Sequence, residues 1–447
     1  MATRRSPSRG EKALLWSVTV FVVIVGGFAL WRGIEDIDPV APVIPTPAMP
    51  IPNARDYYLK ACDAFVPITI TMQERSITVK PSEIGDWNDM PVISHDSVAF
   101  SPLSPSSIRL SRNEIMTLAR RNAPVFAMLR QGFHYEFREL PYRSFTTSIP
   151  YSKYRQIAYG LRFDALARRL NRDWDGAVND GLDGIRLGED IPHGSITKGI
   201  FRGLEVQSIS RVDIWQSVDH LNADQARAAI KRMIAIFAHH VPVAEVLQED
   251  EWATQASLME IFRKPNWRGE LSKMAFAPET LIRVRIQFEC KRQVMQSYTR
   301  YMDAAIAYAK LPYNAPKQIP ARPDDLFTWT MIPSLRKLEF GDTFNETQNN
   351  LLTVSFALRA YKVEHGKYPA SLKELVPSYL HAIPADPFAA NGMLLYKQNG
   401  NSYILYSVGP DGKDDGGKAS ADGVINTAGS ITTQQSTGDI VAGVNVR

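Results

Sequence analysis

Between Ala13 and Trp31 the chain carries nineteen residues without a single charge. As a helix that run rises about 28 Å, against a bilayer hydrocarbon core of about 30 Å. Trp16 and Trp31 lie near its ends, where amphipathic rings favour the interface. Arg4, Arg5, Arg9 and Lys12 precede it, and Glu35, Asp36 and Asp38 follow. This asymmetry predicts a single-pass anchor in the inner (cytoplasmic) membrane, with the N-terminus cytoplasmic and the bulk extracytoplasmic or periplasmic. A cleaved signal peptide, with Gly27 and Ala29 as its small residues, is the competing reading. The next segment holds Pro39, Pro42, Pro45, Pro47, Pro50 and Pro52. Such proline density removes backbone donors and predicts an extended polyproline II stalk.

Beyond the stalk, 45% apolar residues suffice for sizeable cores, and a net charge of +4 gives no footprint for nucleic acid. The two cysteines, Cys62 and Cys290, are compatible with a disulfide or with two buried thiols. From about residue 54 to 311 the pattern is mostly helical. Ser111-Arg-Asn-Glu114 reads as a capping box opening a helix, and Asp173 caps another that runs to about Gly188. Tyr154–Leu170 precedes it, so the two form a helical hairpin, of which a tetratricopeptide-type repeat is one version. Further helices are expected over residues 198–218, 224–239, 243–262 and 278–310. Between Pro67 and Pro105 the reading is irregular loop with two short strands.

Candidate chemistry in this body is weak. His239 and His240 precede Glu245, Glu249, Asp250 and Glu251. Adjacent histidines point about 100° apart on a helix, and a zinc helix needs them a turn apart. Ser195-Ile-Thr-Lys198 matches the Ser-x-x-Lys spacing of an acyl-transfer nucleophile, but its companion Lys-Thr-Gly element is missing. A phosphate loop, a dinucleotide fingerprint and a Gly-x-Ser-x-Gly elbow are all absent from the sequence. The expectation is therefore no catalytic residue.

The richest local chemistry is Ser407-Val-Gly-Pro-Asp-Gly-Lys-Asp-Asp-Gly-Gly417, with Asp422 a short turn later. Acidic side chains supply hard oxygens, and the interleaved glycines allow the turns that bring them together, a pattern suited to calcium. A solvated acidic turn explains it too. An EF-hand would need Asp411, Asp415, Gly416 and Asp422 at its loop positions, but Lys413 stands where a ligand belongs.

Upstream in order come Ala357-Leu-Arg-Ala-Tyr-Lys362, Gly366-Lys-Tyr-Pro369, Leu372-Lys-Glu-Leu-Val-Pro377, Asp386-Pro-Phe388 and Tyr403-Ile-Leu-Tyr-Ser407. Residues 344–425 thereby resemble the globular head of the major (G-type) pseudopilin of type II secretion systems. The resemblance implies a helix followed by a small antiparallel sheet and a calcium loop. Its calcium ligands would be Ser407, the Val408 carbonyl, Asp411, Asp414 or Asp415, and Asp422. The implied partners belong to type II secretion or a related pilus-like machine.

The expected architecture is mainly α. It comprises a cytoplasmic basic N-terminus (1–12), a transmembrane helix (13–31) in contact with the lipid bilayer, and a proline-rich stalk (32–53). An α-helical body (54–311), a proline-rich connector (312–343), a small α+β pseudopilin-like head (344–425) and a polar tail (426–447) follow. The expected function is a non-catalytic, calcium-stabilised scaffold. The alternative is an extracytoplasmic hydrolase or ligand-binding protein with its site in the helical body.

Overall fold

The computed structural model describes residues 16–23, 26–27, 37–66, 68–72, 75–79, 92–94, 97–99, 109–274, 289–323, 325–390, 392–419, 424–426, 429–431 and 434–443. The transmembrane helix expected over residues 13–31 is corrected. Among the described residues no helix is long and apolar enough to cross a membrane. The continuous helix described there covers residues 16–23. The segment 37–50 forms neither helix nor strand, as its prolines require.

The chain divides into two compact units. The smaller includes residues 251–304 and 320–332. There Trp267 meets the Phe262 ring edge-on at 5.4 Å and lies under the Arg268 guanidinium at 4.1 Å. Lys291 bonds Asp38 at 2.7 Å, and Glu289 accepts the Leu326 N–H at 3.0 Å.

The larger unit includes residues 46–250, 305–319 and 333–447. Its helices begin with α1 (Ala54–Ala64) and α2 (Arg112–Gly132). Next come α3 (Tyr151–Leu170), α4 (Trp174–Asp190), α5 (Thr197–Trp215) and α6 (Ala223–Phe237). Both halves of the Ser111–Glu114 capping box are made, and Asp173 accepts the Gly176 N–H at 3.0 Å. Between α1 and α2 lie two antiparallel pairs, Ile68–Met72 with Arg75–Val79 and Val92–Ser94 with Ser97–Ala99. That is more strand than the sequence suggested.

Helices α4 and α5 approach so closely that only glycine fits between them. A Cβ at Gly184 would lie 2.0 Å from the Ser210 hydroxyl, and one at Gly203 would lie 2.4 Å from the Gly188 carbonyl oxygen. On one side of this pair an aromatic-rich cluster gathers Tyr58, Phe126, Tyr154, Ile157, Leu187 and Val206. Its polar ends are satisfied, as buried tyrosines require: Tyr58 donates to Asp190 at 2.5 Å and Tyr154 to Glu139 at 3.0 Å.

Two helices run across the limits of these units, α7 (Val243–Phe262) and α9 (Lys291–Ala309), with α8 (Trp267–Met274) between them; α10 (Leu326–Met331) belongs to the smaller unit. The helix expected from 278 is described from Lys291.

The longest helix, α11 (Leu335–His365), starts inside the stretch read as connector. It stops at Gly366, whose φ of +74° is the left-handed conformation that closes a helix through its N–H to the Lys362 carbonyl. A hairpin of Leu395–Asn399 and Ser402–Ser407 follows, turning at Gly400 with φ +58°. Ile440–Val441 adds a third antiparallel strand beside Tyr406–Ser407.

This sheet does not bury itself against α11 alone. Leu182, Ile185, Ile214 and Met233 of the body form one apolar cluster with Leu351, Phe356 and Leu358 of α11. Phe388, Leu405, Val408 and Ile440 of the sheet region belong to the same cluster. Arg227 of α6 adds a two-pronged ion pair to Glu364 at 2.9 and 3.0 Å, and stacks over Tyr379. Helix α11 is thus buried on both sides, and the C-terminal sheet shares the body's core. Cys62 and Cys290 are both buried, and no disulfide joins them.

Candidate functional site

The glycine–aspartate loop is organised by two buried carboxylates outside it. Asp386 follows α11 and is 2% exposed. It accepts the Ser407 hydroxyl at 2.7 Å, the Val408 N–H at 2.9 Å and the Phe388 N–H at 3.0 Å. Ser407 also accepts the Gly409 N–H, so its oxygen is fully engaged. Gly409, at φ +71°, could carry no side chain, because its Cβ would fall 2.4 Å from the Gly438 carbonyl oxygen. Asp439, fully buried in the C-terminal segment, accepts the Gly417 N–H at 2.7 Å and the Asp415 N–H at 3.3 Å. Burial moves its carboxyl above the usual range, Asp414 and Asp415 push the same way, and the two N–H groups oppose them.

The described residues of the expected calcium set are bonded within the chain. Asp414 accepts the Tyr406 hydroxyl at 3.0 Å and the Gly416 N–H at 2.8 Å. Asp411 accepts the Lys413 N–H at 3.1 Å, while Asp414 and Asp415 stand exposed. Asp422 lies outside the described residues. Among the described residues no group of three His, Cys, Asp or Glu side chains is placed to hold a metal ion. A calcium site needs oxygens aimed at a centre. Here backbone N–H groups are aimed at a carboxylate of the same chain, the geometry of an anion nest. The approach to the loop is a strand, which also departs from the helix of an EF-hand.

The Ser-x-x-Lys residues are likewise apart. Ser195 is fully buried and donates to the Ile191 carbonyl at 2.6 Å, ahead of α5, while Lys198 is exposed. Glu249 belongs to Arg138 and Arg143, at 2.9 and 3.4 Å. Glu251 accepts the Gln255 amide at 2.8 Å, and Asp250 accepts the Thr197 hydroxyl. His239 is exposed at the end of α6.

His240 is exposed too, its side chain 41% so, but it has carboxylate partners. It lines a cleft of about 220 Å³. Tyr308, Leu311 and Tyr313 form one wall, and Glu339, Asp342 and Glu346 of α11 another. The three acids follow one another at three- and four-residue steps, which places them on one helix face. His240 Nδ1 donates to Glu189 at 2.5 Å, and Nε2 lies 3.6 Å from Asp342. Burial disfavours the charged ring, but Asp342 and Glu189 outweigh it and raise the imidazolium pKa to about 11.

Behind His240 the polar contacts continue inward. Glu189, 3% exposed, accepts the Gln207 amide at 2.8 Å. Gln207 accepts the amides of Asn345 and Asn349, both at 3.1 Å. Those asparagines in turn accept from the fully buried Arg211 at 2.8 and 2.7 Å. Burial lowers the Arg211 pKa to about 9, with only Glu189 opposing.

On the outer wall Glu339 accepts the Tyr308 hydroxyl at 2.8 Å and pairs with Lys317. Glu346 is shifted up by desolvation and by Asp342, against the pull of His240. Sequence reading missed this cleft because its parts lie on three separated segments. The one legible signal was the Glu339, Asp342 and Glu346 spacing. No family model, curated protein or solved structure matches the chain.

Proposed function

We propose that the chain is a non-catalytic interaction protein, a rigid platform in which a helical body presents a pseudopilin-like head. The observation that carries this reading is the single apolar cluster joining α4, α5 and α6 to α11 and the C-terminal sheet. A head on a tether needs a core of its own; this one is held on the body's core, so its surface is displayed in a fixed orientation. The resemblance is supported by the succession of a long helix, the Asp386 turn, an antiparallel hairpin and a glycine-rich loop. The partner implied by the resemblance is a subunit of type II secretion or a related pilus-like machine.

A photo-crosslinking residue at Lys413, exposed on the loop, tests the proposal in the source cell. Covalent capture of a pseudopilin-class protein supports it. Absence of any adduct, from a chain accumulating at its normal level, contradicts it. The second reading, a ligand-binding protein with its site in the body, is favoured by the cleft at His240.

A further inference from the structure

We propose that the cationic seam between α3 and α5 binds a phosphate group, with Arg162 as its buried donor and Arg155 and Arg202 at its opening. The site shares no residue with the lining of the His240 cleft and stands whether or not the chain is a platform. Arg155, Arg162 and Arg169 recur at seven-residue steps, which sets them along one stripe of α3. Helix α5 packs against α3 and adds Arg202, Glu205 and Asp213.

The observation that carries the site is Arg162. Its side chain is 8% exposed, yet among the described residues nothing accepts a hydrogen bond from it. Its ion pair runs from Nε to Asp213 Oδ2 at 3.6 Å, and neither atom is hydrogen-bonded. Asp213 gives its other oxygen to Arg169 at 2.5 Å. A guanidinium carries five N–H donors, and burying them unmet is costly until an acceptor arrives. Burial lowers the Arg162 pKa; Asp213 opposes this, and the charge of Arg169 adds to it.

The charge balance points the same way. Glu205 is shared by Arg155, at 3.5 Å, and by Arg202, whose Nε is also buried without a hydrogen bond. Four guanidinium groups thus face two carboxylates, leaving two positive charges uncompensated among the described residues. Tyr159 lies where they meet: burial and Glu205 raise its pKa, while Arg155, Arg162 and Arg202 all pull it down. Arg155 and Arg202 keep 16% and 24% of their side chains exposed, so the seam opens to solvent. A phosphate brings close to two negative charges and several acceptor oxygens to such guanidinium forks, where a carboxylate brings one charge. Two sources carry this group, a soluble phosphate monoester and the headgroup of an acidic lipid.

Calorimetric titration of the full chain with glycerol 3-phosphate, and its co-sedimentation with phosphatidylcholine vesicles containing phosphatidic acid, test the proposal and separate the sources. Binding of the free ester assigns a soluble ligand; binding to the acidic vesicles alone assigns a headgroup. Arg162→Gln is expected to weaken the bound probe roughly tenfold or more. Arg202→Gln, at a part-exposed position, is expected to weaken it similarly, and decides the matter if Arg162→Gln does not fold. Lys413→Gln removes the same charge from the exposed C-terminal loop and is expected to bind as the parent does. Three results would overturn the proposal. Neither phosphate probe is bound above its neutral counterpart, glycerol or phosphatidylcholine alone; a folded Arg162→Gln or Arg202→Gln variant binds as the parent does; or Lys413→Gln loses as much affinity as Arg202→Gln.

Discussion

Asp439 Oδ2 accepts the Gly417 N–H at 2.7 Å, across a separation of 22 residues. The contact makes the end of the chain a closing piece of the glycine–aspartate loop.

The first prediction concerns calcium. Addition of 1 mM calcium, or of excess chelator, is expected to leave the melting temperature of the full chain unchanged. Asp439→Ala is expected to lower it, because the part-buried Gly417 and Asp415 N–H groups lose their acceptor, at a cost of roughly 1 kcal/mol or more in total. A rise of several degrees with calcium, lost in Asp411→Ala, would show instead that the loop rearranges around the metal.

Asp386 carries three bonds at the base of the same loop. Asp386→Ala is expected to destabilise the chain by roughly 3 kcal/mol, since buried donors are left unpaired. Urea unfolding measures this directly. A change within about 0.5 kcal/mol, the range of ordinary surface substitutions, would remove Asp386 from the account.

Arg211 offers a different kind of test, because its partners are neutral asparagines. Arg211→Met alone is expected to destabilise by about 2–4 kcal/mol by orphaning buried acceptors. Combining it with Asn345→Leu and Asn349→Leu is expected to cost less than the sum of the three single losses, with Gln207 Oε1, left without its amide donors, limiting the recovery. Strictly additive losses in the combined variant would mean that these residues do not act as one network.

His240 links the cleft to pH. Its ordinary pKa of 6.5 is raised to about 11 in the folded chain, with burial opposing and Asp342 and Glu189 prevailing. The folded state therefore binds the proton more tightly than the unfolded state. The stability that follows is fully present below pH 6.5 and is lost as pH rises toward about 11. The urea midpoint of the parent is expected to fall over that window by more than that of His240→Gln. Parallel pH profiles would contradict the assignment.

What the sequence disclosed was local. Ser111 with Glu114, and Asp173 before Trp174, mark helix starts within three residues, and the structure makes both of these caps. The cleft and the loop closure depend on distant pairs, such as His240 with Glu189 across 51 residues and Asp439 with Gly417. Nothing in local composition announces them. Helix α11 hid its N-terminal half for a related reason. Thr343, Asn345, Thr347 and Asn349 are buried polar residues beside Leu351 and Leu352, so no single apolar stripe marks the helix. The apolar run at 13–31 misled in the opposite direction: length and hydropathy suggested a span, and among the described residues no helix is long and apolar enough to cross a membrane.

The platform proposal depends on head and body being one folding unit. Native-state hydrogen exchange of the full chain, read on peptides from residues 178–185 of α4 and 351–361 of α11, tests this most directly. The account predicts that both sets exchange through the same global opening, with equal free energies and equal responses to denaturant. Head amides that exchange through a separate, lower-energy opening while the α4 amides stay protected would contradict it.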